Sequence, residues 1–340
     1  MKVSFLVTYF NQEKYVRQSL DSILAIDKPF EWEILVGDDG SSDSTVEIVN
    51  EYIEKYGTNI KLYIMPRNVK EKYNAVKRAS ENRINLLRHC TGDCFCTLDG
   101  DDYYCDTEFV KDAIRAFENY PDVSLVAFGY CLSKAGRIIR NKRLSSLLGQ
   151  IINTEKYVRN YYIHAGACVH RILWDDDRIN YINSIGYYDD NDIVMNTINF
   201  GKIYSVRRIV YVYRQTGESI YTSMSRIEQS VLNLLGLDVD KQLLGESFYS
   251  DLVERNRNAI LTTYIWRRRL QEIIGTEKYN NYIRICEPIK NSLLYRILKY
   301  NEINDKEKSV IHNIIKKIIK EHLLLATLVY IDYLIKGSNI

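Results

Sequence analysis

Proline is scarce in this chain, with 4 in 340 residues, and glycine is limited to 16. No Pro-, Gly- or Ser-rich linker, low-complexity tract or internal repeat occurs. No apolar run reaches the ~18 residues of a bilayer-spanning helix. The opening MKVSFLVTYFNQEKY carries a short apolar run and no small-residue cleavage site, so no secretory signal is expected. The seven cysteines (90, 94, 96, 105, 131, 168 and 286) include no C-x-x-C, which excludes paired zinc knuckles. Their odd number suits buried free thiols in a reducing cytoplasm. A net charge of +2 argues against a broad nucleic-acid footprint, so no nucleic-acid partner is expected. What is present is globular: 46% hydrophobic and 26% charged residues, in a length that suits one large or two modest domains. Tyrosine is abundant, at 28, and its flat apolar ring with a polar tip suits both cores and sugar-binding surfaces.

The first 130 residues alternate between strand and helix. KVSFLVTYF reads as a strand buried on both faces. QEKYVRQSLDSILAI follows at helical spacing, with Tyr15, Val16, Leu20, Ile23 and Leu24 on one side. EWEILVGDD, IKLYIMP, CFCTLDG and VSLVAFGYCL read as further strands. The segments 42–56, roughly 71–90 and 107–120 read as the helices between them, with Ser42 or Asp43 capping the first. This alternation predicts an α/β fold with a doubly wound, mostly parallel sheet. Beyond residue 132, SKAGR reads as a hairpin turn, AGACVHR as strand-like, 189–201 as a helix and 202–214 as one or two strands. From about 225 the chain reads as helical. The expected division is 1–222, an α/β domain, and 223–340, a helical region.

Two acidic clusters fall at strand ends: Asp38 and Asp39 after the second, Asp99, Asp101 and Asp102 after the fourth. Ligands of open parallel sheets bind beyond the carboxyl ends of the strands, so both clusters are expected on one rim. Hard carboxylate oxygens suit Mg²⁺ or Mn²⁺, which takes one or two protein carboxylates and completes its shell with water and phosphate oxygens. Gly100 is expected to let the backbone turn sharply, so that both flanking carboxylates face the ligand. A solvated acidic turn capping the helix near Asp106 is the plain competitor. The strand context and the second Asp pair favour a nucleoside diphosphate.

VSFLVTYFNQEKYVRQSLDSIL, FEWEILVGDDGSSDST and ENRINLLRHCTGDCFCTLDGDDYYCD, in this order, resemble the family 2 glycosyltransferases, inverting enzymes of GT-A fold, of the bacterial surface-glycan type. A weaker likeness, YYDDNDIVMNTINFGKIYSVRRIVYVYRQTGES, extends it to about residue 219. The resemblance implies that Thr8 and Phe10 meet the nucleotide, with the aromatic ring on the base. It places Asp39 on a uracil-type base, Asp99 near ribose and metal, and Asp101 as the principal metal ligand; Asp102 has no assigned role. Asn82 sits where many relatives carry an Asn. An inverting transfer needs a carboxylate to take the acceptor proton. Asp190 stands at the position of that base, with Asp189 and Asp192 as rivals and an Asp-decorated helix start as the plain reading. His164 and His170 flank a strand that approaches the acceptor in relatives. Arg214 precedes a loop that could fold over the diphosphate. Two departures stand out: relatives often carry Pro before the first-strand Thr8-Tyr9 pair, here Val7, and the Gly usual two residues after Asn68 is Lys70.

The expected reaction is transfer from a nucleoside-diphosphate sugar, UDP-linked, to a glycan or lipid-linked hydroxyl. The rivals are a non-catalytic nucleotide- or glycan-binding protein, a sugar-nucleotide nucleotidyltransferase and an Asp-nucleophile phosphatase. The nucleotidyltransferase wants a Gly-rich basic first loop, and TYFNQEKY is not one. The phosphatase wants its D-x-D after the first strand. The tail 309–335 begins amphipathic, with Lys316, Lys317 and Lys320, and turns apolar between Leu323 and Ile331 before Asp332. Packing on its own domain, a membrane-surface helix at the inner face, and a homo-oligomer contact are the three readings. Arg267, Arg268 and Arg269 add a second basic run.

Overall fold

The computed structural model describes residues 1–67, 74–140, 150–160, 162–216 and 220–337, so Asn68, Lys70 and the end of the loop after Arg214 lie outside the described residues. The chain divides into two compact units, 1–157 with 161–219, and 158–160 with 220–340. Before the division near residue 220 the elements run β1 (Lys2–Tyr9), α1 (Glu13–Leu24), β2 (Glu31–Asp38), α2 (Thr45–Tyr56), β3 (Ile60–Ile64), α3 (Ala75–His89), β4 (Cys94–Asp99), β5 (Tyr103–Tyr104), α4 (Phe109–Asn119), β6 (Val123–Lys134), β7 (Arg137–Arg140), β8 (Ile151–Ile152), α5 (Thr154–Asn160), β9 (Cys168–Arg171), α6 (Asp176–Ile185), α7 (Asp190–Ile198) and β10 (Lys202–Gln215).

These strands form one sheet of order β3-β2-β1-β4-β9-β6-β10-β5, with β7 on β6 and β8 on β10. It is parallel through β3-β2-β1-β4 and again between β6 and β10, as the alternation predicts. It is mixed elsewhere. The four-residue β9 runs antiparallel between β4 and β6, and β5 runs antiparallel to β10. Residues 3–7 of β1 are buried, as a strand covered on both faces requires. Helix α1 buries Val16, Ser19, Leu20 and Ile23, with Ser19 Oγ hydrogen-bonded to Tyr9 Oη of β1, while Tyr15 and Leu24 are half-buried. The 202–214 segment is a single strand whose register shifts twice between Ser205 and Tyr211. The predicted hairpin turn is present, with Ala135 and Gly136 both at positive φ (48° and 76°).

Two buried polar groups pin the sheet. Glu33 on β2 accepts hydrogen bonds from Ser4 Oγ (2.7 Å), Thr91 N–H (2.9 Å) and Thr91 Oγ1 (2.8 Å). Burial alone would raise its pKa, but these bonds hold it at about 2. His170 on β9 is fully buried and stacks on Phe95, ring centroids 4.7 Å apart. Its Nε2 donates to the Ala165 carbonyl oxygen (3.2 Å) and its Nδ1 lies 3.0 Å from Thr197 Oγ1. His170 is therefore a core residue, not an acceptor contact.

The second unit holds α8 (Ile220–Ser223), α9 (Arg226–Leu244), α10 (Tyr249–Arg255), α11 (Arg257–Trp266), α12 (Leu270–Ile274), α13 (Thr276–Cys286), α14 (Leu293–Leu298), α15 (Asp305–Glu321) and α16 (Leu323–Gly337). Its core draws on Leu234 and Leu235 of α9, Ile260 of α11 and Leu294 of α14. Asp238 of α9 is buried and accepts the Ser292 hydroxyl (2.6 Å) and the N–H groups of Leu293 (2.7 Å) and Leu294 (2.9 Å). One helix thus caps the start of another. Burial pushes the Asp238 carboxyl up to about 6 despite these bonds.

Burial also pushes the His170 imidazole down to about 4. Between pH ~6.5 and about 4 the unfolded chain takes up a proton that the folded imidazole refuses. Stability is therefore expected to fall with falling pH, by up to about 3 kcal/mol at ~1.4 kcal/mol per pH unit. Urea unfolding of wild type and His170→Gln, at neutral and mildly acidic pH, should show the shallower acid loss in the variant. Equal slopes would remove His170 from the acid response.

Candidate functional site

The carboxyl ends of β2, β1 and β4 lie side by side, with Thr8 paired to Asp99 and Tyr9 to Asp38 across the strands. Both acidic clusters therefore share one rim. Asp38 turns away from it, fully buried, and accepts from the backbone N–H (2.8 Å) and the hydroxyl (2.5 Å) of Ser41. Asp39 is held by its N–H on the Tyr9 carbonyl (3.0 Å) and meets Arg78, whose Nε donates to its carboxylate (2.6 Å). Arg67 lies over the Phe10 ring, 4.3 Å from its centroid, and places Nη2 3.9 Å from the same carboxylate. Phe10 and Asp39 thus form one aromatic and acidic corner lined by two guanidinium groups.

The D-x-D segment splits its carboxylates between solvent and core. Asp99 accepts from Thr8 Oγ1 (3.2 Å) and from Arg83 Nη2 (3.2 Å). Partial burial and the charge of Asp190 raise its pKa, against the pull of Arg83. Burial and the Asp99 charge push Asp101 up to about 6. Asp102 points inward, fully buried, accepting from Tyr211 Oη (2.6 Å) and from the Arg214 N–H (2.7 Å). It joins the end of β4 to β10 and does not face the rim. Gly100 is not in a left-handed turn; a Cβ there would lie 2.1 Å from the Tyr9 ring, so close packing is what requires glycine.

Helix α7 brings a third acidic group to the same place. Asp189 is its N-cap, accepting from the N–H groups of Asn191 (2.9 Å) and Asp192 (3.0 Å) and from Tyr187 Oη (2.8 Å). Asp192 closes the capping box by accepting the Asp189 N–H (2.7 Å), and it is fully buried. Asp190 instead faces the rim, its side chain 30% exposed, with Arg83 Nη2 at 3.0 Å. One guanidinium therefore touches both Asp99 and Asp190. Burial works against the charge on Arg83, but Asp190 and Asp99 outweigh it and hold its pKa above the ordinary value.

The remaining predicted residues divide. His164 is buried beside this cluster, its ring 4.9–5.2 Å from those of Tyr130, Tyr211 and Tyr213. Its Nδ1 accepts the Gly166 N–H (3.2 Å), which leaves the ring proton on Nε2, and burial lowers its pKa. Arg214 packs over Tyr15 (5.0 Å) and Tyr103 (4.6 Å) and hydrogen-bonds the Asp101 carbonyl and Gln18. Asn82 is drawn away: buried, it donates to the Gly37 carbonyl (2.9 Å) and fills the space where a Gly37 side chain would stand. Arg83 and Arg78 were not singled out in the sequence. Their signal was weak, two arginines one helix turn and a half apart in α3, just ahead of the D-x-D strand.

The rim fits a divalent ion in its donor chemistry. Asp99 and Asp101 offer hard oxygens, and both carboxyls are pushed up by burial and then by a neighbouring carboxylate, whose charge a cation would offset. Phosphate and water oxygens would complete the shell of an ion held by two carboxylates.

The family model "Glycosyl transferase family 2" matches residues 4–175, just over half of the chain. The putative glycosyltransferase EpsE of Bacillus subtilis is 35% identical over 101 residues, 30% of this chain and 33% of that protein. The poly(ribitol-phosphate) beta-N-acetylglucosaminyltransferase TarS of Staphylococcus aureus is 33% identical over 128 residues, 37% of this chain and 21% of that protein. The matched part thus spans about a third or less of these curated relatives. The crystal structure of TarS 1–349 with UDP superposes with a TM-score of 0.58 at 17% identity, covering 99% of this chain and 92% of that one. The mannosyltransferase PcManGT of Pyrobaculum calidifontis, with GDP-Man and Mn²⁺, gives 0.54 at 13% identity, covering 96% and 86%. These superpositions carry the fold, which is of GT-A type. The chain belongs to glycosyl transferase family 2.

Removing the shared cation isolates its electrostatic work. Arg83→Met is expected to cost about 1–3 kcal/mol, less than the ~3–5 of a fully buried pair, because the partner carboxylates are about a third exposed. The cost should shrink as pH falls and the freed carboxylates take up protons. Urea unfolding at neutral and acidic pH checks this; a pH-independent loss would assign Arg83 to packing alone.

Proposed function

We propose that this family member is an inverting glycosyltransferase that moves a sugar from a UDP-linked donor to a hydroxyl of a glycan or lipid-linked acceptor. The observation that carries this reading is the Arg83 bridge, which brings Asp190 of α7 within one guanidinium of Asp99. A donor-side and an acceptor-side carboxylate then flank one small space, as a single displacement at C1 requires. TarS in complex with UDP and with UDP-GlcNAc supports the uridine choice, and PcManGT with GDP-Man and Mn²⁺ supports a metal-assisted donor site.

In this reading the Phe10 ring stacks on the base and Asp39 accepts from its ring N–H. Thr8 and Asp99 hold the ribose side. Mg²⁺ or Mn²⁺ at Asp99 and Asp101 would neutralise charge on the departing diphosphate. Arg214, clamped between two tyrosine rings, adds a fixed cation on that side. Asp190 takes the proton of the acceptor hydroxyl as that oxygen bonds to C1 from the face opposite the nucleotide, and the C1–O bond to the diphosphate breaks. Asp189 and Asp192 serve the helix cap, which leaves the base role to Asp190. His164, with its proton on Nε2, is a neutral donor for orienting the acceptor.

Two measurements test the two halves separately. Calorimetric titration with UDP, and GDP as control, should show UDP binding that needs Mn²⁺ and is lost in Asp101→Ala. No binding of either nucleotide by folded protein would overturn the donor site and favour a non-catalytic role. Asp190→Asn should lower sugar transfer by roughly 100- to 10,000-fold, the usual worth of a general base, while UDP affinity stays unchanged. Full activity in that variant would overturn the base assignment.

A further inference from the structure

Helix α16 exposes an apolar stripe. Leu324 (76% exposed), Leu328 (57%) and Ile331 (45%) follow at four- and three-residue spacing on one face, with Leu323 and Tyr330 beside them. Its other side is seated on its own unit: Ala326, Val329 and Tyr333 are half-buried, and Tyr333 packs against Trp266 of α11 at 4.9 Å. A contiguous apolar face of this kind marks a docking surface.

Cations stand at both ends of the stripe. Lys316, Lys317 and Lys320 are exposed on the last turns of α15, immediately before α16. Arg268 is exposed after α11, two residues beyond Trp266, which packs on Tyr333 of α16. Of the carboxylates nearby, Glu272 is paired with Arg269 and Glu254 with His322, while Glu321 is exposed.

We propose that α16 docks this chain on an anionic lipid surface, lying in the plane of the headgroups with Leu324, Leu328 and Ile331 inserted. Its 15 residues reach about 22 Å at ~1.5 Å per residue, short of the ~30 Å hydrocarbon core. No helix among the described residues is long and apolar enough to cross a membrane. A second copy of the chain fits less well. Parallel pairing of two stripes sets lysine on lysine, and antiparallel pairing sets lysine on Arg268 and Arg269. An anionic bilayer meets both cationic ends with opposite charge, and Tyr330 at the edge of the stripe suits the headgroup boundary. This inference does not rest on the glycosyl-transfer reading, since lipid binding is measured without donor or acceptor.

Flotation of the full chain with vesicles tests it. The protein should float with vesicles of phosphatidylcholine and phosphatidylglycerol, and not with phosphatidylcholine alone. Added salt should weaken the binding. Lys316→Gln and Lys320→Gln should each weaken it roughly fivefold, the worth of one lysine at such a surface. Leu324→Ser/Leu328→Ser/Ile331→Ser should abolish it while thermal unfolding stays that of wild type, because all three side chains are exposed. Absence of flotation with the phosphatidylglycerol vesicles, equal flotation with phosphatidylcholine alone, or full flotation of the triple variant would overturn the proposal. So would a lipid-free dimer, seen by light scattering, that the triple variant dissociates.

Discussion

Carboxylates gathered at the end of a buried strand repel one another, and the first unit is arranged around that repulsion. Each acidic group at the rim has a different answer to it. Asp38 is absorbed by a serine turn, Asp39 by Arg78, and Asp102 by the Tyr211 hydroxyl and a backbone N–H. Asp99 and Asp190 share Arg83. Asp101 has a titration pushed up to about 6 by burial and the Asp99 charge, with the Thr216 hydroxyl 3.4 Å from its carboxylate. A cation beside this carboxylate would offset the neighbouring negative charge. Satisfying the others in advance is what lets the cluster survive at a strand end.

The strand–helix alternation of the first half was legible because it is local: periodicity, caps and breakers act within about ten residues. Strand direction is not local. Cys168–Arg171 reads as a strand, but nothing in four residues says that it runs antiparallel between β4 and β6. Short elements such as β5 and α5 carry too few residues to show a period. Asp190 and its rivals shared one pattern, yet a further signal was present, because Asp189 and Asp192 stand three apart, the spacing of a capping box. Arg83 was invisible for another reason. An arginine in an amphipathic helix looks solvated until two carboxylates distant in sequence are folded against it.

The second unit uses the same chemistry for a different end. Asp238 is buried and fully hydrogen-bonded by the start of α14, so a carboxylate costly to bury becomes the join between two helices. Sequence alone offers no hint of it, since the partners lie more than fifty positions apart. The unit hydrogen-bonds this inner carboxylate three times and leaves its outer helix α16 with an exposed apolar face.

The capping box at Asp189 and Asp192 has a consequence for how this site could change over time. Holding the helix and facing the rim are tasks given to different residues: Asp189 and Asp192 close the cap, and Asp190 meets Arg83. Position 190 can therefore drift in reach or acidity, for instance from aspartate to glutamate, without unravelling α7. A lineage could change the reach of that carboxylate over the rim by one methylene while its scaffold stayed fixed.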